Sequence, residues 1–156
     1  MAASSTNKQP LLVDRVLHYV VDLNSAAVAA INVAGTNTAL LIVDGVQQDG
    51  AIIEDIYSIS RANREDTINL YLSSASDYLR PNEGIFIGQF KSSNTEGSKT
   101  HWESMPNILA PVPHVGSSDG QFKALYVPKG KALWAARESS NVVTDGPILG
   151  CQGGWY

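Results

Sequence analysis

Three histidines, one cysteine and a short acidic cluster are the residues of this chain whose types could support chemistry. His18, His101 and His114 could each serve as a general base, and neither His18 nor His101 lies beside a Ser or Cys motif of known mechanics. The chain contains no His-Glu-x-x-His and no Walker sequence. A Ser-His-Asp arrangement can be assembled across space without a local trace, so the histidines stay open while reading as surface or hydrogen-bonded side chains. Asp44, Asp49, Glu54 and Asp55 raise the question of calcium. The EF-hand spacing of oxygen ligands is missing, and Asp44 and Asp49 each precede a glycine at a turn. Cys151 has no second thiol and no adjacent histidine, which argues against zinc and for a buried structural thiol. The expectation is no catalytic residue, no metal and no cofactor.

The elements around these residues follow period two. Thr67–Ser73 alternates, with Ile68, Leu70 and Leu72 on one side and Asn69, Tyr71 and Ser73 on the other. The run 131–137 places Ala132, Trp134 and Ala136 opposite Leu133, Ala135 and Arg137. Such alternation marks a half-buried antiparallel strand. Each run adjoins a Pro-Gly turn: Arg80-Pro81-Asn82-Glu83-Gly84 leads into 85–90, and Pro128-Lys129-Gly130 links 121–127 to 131–137. Proline presets the second turn position and glycine accepts a positive φ, so both read as hairpins.

Further strands are expected at 14–23, 39–43, 51–61 and 148–151, with 25–33 ambiguous between helix and strand. In 51–61 the phase slips, since Ile53 and Ile59 share one parity and Ile52 and Ile56 the other. A bulge or burial of both faces would repair it. Residues 91–100 read as a polar loop. Residues 102–115 hold Pro106, Pro111 and Pro113, so they read as a crossover with one edge strand near 108–110. The predicted fold is all-β, an antiparallel two-sheet sandwich of jelly-roll type, with a barrel as the alternative. Residues 1–13 form a flexible or extended N-terminal arm, and 14–156 a single β-sandwich domain.

With 156 residues and a net charge of −4, the chain is long enough for a real core and has no basic footprint for nucleic acid. Its polar first ten residues lack a signal-peptide core, and no run reaches the roughly 18 apolar residues of a membrane helix. It reads as a soluble protein made in a reducing cytoplasm. Trp102 and Trp134 read as core or interface side chains rather than sugar shelves. Trp155 and Tyr156 follow two glycines, cannot easily cap their own core, and are candidates for docking on this subunit or the next. Pro10, Leu11 and Leu12 are candidate contacts within the arm.

From Gly50 onward, about two-thirds of the chain, the sequence resembles small virion proteins of tailed bacteriophages. The resemblance runs through Gly50-Ala51-Ile52-Ile53-Glu54-Asp55-Ile56, then Ile68-Asn69-Leu70-Tyr71-Leu72. It ends in Ala124-Leu125-Tyr126-Val127-Pro128-Lys129-Gly130-Lys131-Ala132-Leu133-Trp134. It implies a jelly-roll-like, non-enzymatic capsid decoration or cement protein. Such a protein is made in the host cytoplasm and sits on the virion surface. Its partners would be the major capsid protein or other virion proteins and further copies of itself, a trimer by preference, with neither nucleic acid nor membrane. A neck, tail or baseplate component is the nearest alternative, a glycan- or receptor-binding module the next, and a hydrolase the last.

Overall fold

A computed structural model of the chain describes residues 15–23, 39–46, 48–74, 84–102, 110–112, 122–138 and 144–155. Ten strands run through them: β1 (Arg15–Asp22), β2 (Leu40–Asp44), β3 (Gly50–Ile59), β4 (Thr67–Ser73), β5 (Ile85–Lys91), β6 (Lys99–His101), β7 (Ala110–Val112), β8 (Phe122–Pro128), β9 (Ala132–Arg137) and β10 (Ile148–Trp155). No helix occurs among the described residues. Every pairing is antiparallel. One sheet has the order β1-β10-β3-β8-β7 with β6 also on β3, and the other has the order β2-β9-β4-β5. Leu17, Ile53, Leu125 and Leu149 from the first sheet share one core with Ile42, Ile68, Leu70 and Leu133 from the second. Burying each such side chain contributes about 1.5–3 kcal/mol, which is what holds the two layers face to face.

The phase slip in β3 is a bulge. Ala51 and Ile53 are buried, and so are Ile56 and Ser58, of opposite parity. The register with β10 jumps from Asp55↔Gln152 to Ile53↔Gly153, leaving Glu54 as the extra, solvent-facing residue. Gly153 is required there, because a Cβ on it would stand 2.0 Å from the Ile52 carbonyl oxygen. Pairing on both sides carries β10 through Gly153 and Gly154 to Trp155, twice the length that the glycine-poor part of the pattern predicts.

The two Pro-Gly turns do different jobs. β4 and β5 pair as an antiparallel hairpin, although its turn, 75–83, lies outside the described residues. Pro128-Lys129-Gly130 is not a hairpin turn. β8 belongs to the six-stranded sheet and β9 to the four-stranded one, so this turn carries the chain across the sandwich. Its local chemistry is as expected: Gly130 has φ +78°, and the Lys131 N–H donates to the Pro128 carbonyl at 3.1 Å. The Gly130 N–H donates instead to the Gly45 carbonyl at 3.0 Å, tying the corner to the end of β2.

β4 and β9 are buried on both faces rather than half-buried, because apolar side chains pack on each face. Tyr71, Ala132, Trp134 and Ala136 form a second apolar cluster on the face away from the main core. At the end of β9 the inward parity of Leu133 and Ala135 continues to Arg137, which is 1% exposed. Its guanidinium donates to Asp66 Oδ1 at 3.0 Å. Arg64 bridges Asp66 and Asp145, both at 3.2 Å. The Asp66 N–H donates to Ser92 Oγ, and the Ser92 N–H donates back to the Asp66 carbonyl, each at 2.9 Å. The ion pair thus fastens three loops at one end of the sandwich.

Candidate functional site

The expected contact residues separate on inspection. Trp155 closes β10 opposite Ala51 and Arg15, is half-buried and packs against the main core. The expectation that it could not cap its own core is corrected: the glycines before it are strand residues, so they aim the indole instead of freeing it. Pro10, Leu11, Leu12 and Tyr156 lie outside the described residues, as do the arm, 25–33 and His114.

Exposed apolar side chains gather elsewhere. On β1, Val16 is 82% exposed, Val20 50% and Tyr19 42%. On β5, Ile85 and Phe86 are exposed, Phe86 standing edge-on to Tyr71 with centroids 5.7 Å apart. Tyr126 is exposed on β8. β1 and β5 are rim strands of the two sheets. A groove of about 390 Å³ opens between β1 and β2, lined by Leu17, Tyr19, Leu41, Ile42 and Trp155. On the outer face a second hollow, of about 430 Å³, lies over Gly153 between Val16, His18 and Glu54. That 14–23 holds a strand was legible in the sequence. Its position at a rim was not, since no local signal says which strand lacks a second neighbour.

His18 and His101 sit on the outer face of the six-stranded sheet. His101 belongs to β6 rather than to a loop, because Lys99, Thr100 and His101 pair with Ile59, Ser58 and Tyr57. Its Nδ1 lies 2.8 Å from Asp55 Oδ1. His18 Nε2 stands 3.5 Å from the Tyr57 hydroxyl, and the Lys99 ammonium sits 3.8 Å above the Tyr57 ring. A carboxylate–imidazole pair of this kind orients a base, which then requires a nucleophile or a water to act on. Neighbouring Ser58 is fully buried.

The acidic cluster is dispersed. Asp44 Oδ1 accepts the Val46 N–H at 3.1 Å, Asp49 pairs with Lys129 at 2.6 Å, Asp55 holds His101, and Glu54 caps the bulge. The hydrogen bond from Lys129, with its charge, holds Asp49 below the usual carboxylate range. Among the described residues, no three His, Cys, Asp or Glu side chains converge on a metal position. Cys151 is buried opposite Tyr19, and burial pushes its thiol from 9.0 up to about 12. At neutral pH it is a protonated, unreactive side chain.

Compared with known protein families, curated proteins and solved structures, the chain matches none.

Proposed function

We propose that this chain is a non-enzymatic structural protein of a tailed-bacteriophage particle, a capsid decoration or cement protein that binds the outer shell. The single observation that carries the assembly role is the exposure of Val16, Tyr19 and Val20 on the rim strand β1. An exposed apolar rim is a contact surface in a protein that has to stay in solution before it binds. The resemblance from Gly50 onward supports placing that contact on a phage particle.

The jelly-roll reading is part of the proposal. Setting the three-residue strands β6 and β7 aside, the pairs β1/β10, β2/β9, β3/β8 and β4/β5 are nested one inside the next. Rolling one long hairpin into two sheets yields that nesting, and it accounts for the crossing turn at Pro128-Lys129-Gly130. Jelly rolls serve in viral capsids and also in lectins, so the fold supports the reading without specifying it. A clip between shell subunits has to bind without reacting, and the buried, protonated thiol of Cys151 suits that. Copies bound side by side add avidity to weak single contacts.

The test is to locate the chain in an imaged particle. A two-sheet density of this shape on the outer shell is the expected result. Density at the neck, tail or baseplate would favour the second reading, and absence from purified particles would overturn both.

A further inference from the structure

Five strands form the rims of the two sheets, and four of them are poor templates for another strand: β6, on β3, has only three residues. β7 has three residues, one of them Pro111, which has no N–H to donate. β2 has five residues, and its register breaks between Leu41 and Val43. β5 is bulged at Ile87, since Leu70 pairs with Gly88 but Tyr71 with Phe86, and it ends on Lys91. Bulges, prolines, lysines and short length are how natural sheets keep their rims from pairing. β1 has none of them. Its eight residues keep an unbroken one-to-one register with β10, from Arg15↔Trp155 to Asp22↔Ile148, and they include no Pro, Gly or Lys. Among the described residues, nothing pairs with its other side.

We infer that β1 pairs antiparallel with β1 of a second copy, joining two six-stranded sheets across a two-fold axis at His18. The inference rests on the assembly reading above and names its partner. Symmetry restricts the register. A two-fold axis normal to the sheet keeps outer face with outer face, so paired residue numbers have the same parity. Centred on His18, Val16 faces the partner's Val20, and Leu17 faces the partner's Tyr19, each contact occurring twice. Centred on Tyr19 instead, Val16 would face the partner's Asp22, and centred on Leu17 it would face the partner's His18. Only the His18 register sets Val16, Leu17, Tyr19 and Val20 entirely against apolar partners. The inner-face geometry agrees with it: Leu17 lines the groove beside Leu41, Ile42 and Trp155, and the partner's Tyr19 comes to lie across that opening. The contact is two-fold, so it joins copies in pairs rather than in the trimer that the resemblance implies.

The test uses the full chain with single cysteines at exposed positions, the buried Cys151 serving as an unreactive background. His18→Cys, oxidised with a copper catalyst, is expected to give a covalent dimer on a non-reducing gel. Val16→Cys alone should stay monomeric, because position 16 does not meet itself, while an equal mixture of Val16→Cys and Val20→Cys should cross-link. Circular dichroism establishes that each variant is folded. No cross-link from folded His18→Cys overturns the inference, as does equal cross-linking at all three positions, the mark of random collision. If His18→Cys stays monomeric but Val20→Lys abolishes attachment to shells, β1 binds a different protein: the self-pairing fails and the virion reading survives.

Discussion

β9 and β1 are each a short apolar strand, yet their surroundings make them opposites. All six residues of β9 are buried, with the main core on one side and Trp134 in a second cluster on the other. Of the eight in β1 only Leu17 is buried. The difference teaches that apolar content alone does not say what a strand is for; the number of neighbours does. β9 lies between β2 and β4, whereas β1 has β10 on one side and, among the described residues, no strand on the other.

Breaking the ion pair at the end of β9 should have the largest effect. Asp66→Ala removes the carboxylate to which the buried Arg137 guanidinium donates, and chemical denaturation should show a loss of about 3–5 kcal/mol. Trp134→Ala empties a site that is 3% exposed, with an expected loss of about 3–5 kcal/mol by the same measurement. Gly130→Val is smaller. A Cβ there meets nothing within 4 Å, so the expected loss, on the order of 1–3 kcal/mol, comes from forcing a β-branched residue to φ +78°. An unchanged melting curve for any of these would place the strength of the fold somewhere other than around β9.

Cys151 sharpens the comparison by pH. Burial raises its thiol from 9.0 to about 12, so the unfolded chain gives up this proton first. The stabilisation is fully present below pH 9 and is lost as pH rises toward 12, with a slope on the order of 1 kcal/mol per unit. Native protein at pH 8 should resist iodoacetamide, and a Cys151→Ser variant should flatten the alkaline loss. Rapid alkylation of folded protein would mean that β10 opens readily.

What was legible follows the range of each interaction. Thr67–Ser73 emerged to the residue, and the slipped phase around Ile53 and Ile56 left a bulge or burial of both faces open, because both signals are imprinted on consecutive side chains; the structure shows the bulge, at Glu54. Pro128-Lys129-Gly130 revealed its turn but not its destination: the turn is a local property, whereas the sheet β9 joins is decided by Leu40 and Ile68, far away in sequence. Gly153-Gly154-Trp155 looked like a loose end since glycine is a poor strand residue, and pairing with both β1 and β3 overrode that. Arg137 was placed on one face with Leu133 and Ala135, the face that the structure turns inward. A buried arginine requires a carboxylate, and that requirement was the available signal for Asp66. The exposed rim had no such signal, because exposure depends on which neighbour is missing.

The smallest effect on stability should come from β1. Val16→Lys with Val20→Lys changes two solvent-facing side chains, and the fold should shift by about 0.5 kcal/mol or less. Contact should respond far more. The most direct measurement is therefore paired, on the same double variant: the unfolding midpoint in denaturant, and sedimentation velocity across a wide concentration range beside the parent chain. The account predicts an unchanged midpoint together with loss of the concentration-dependent dimer that the parent forms. A parent that sediments as a monomer throughout, or a double variant that associates as the parent does, would contradict it.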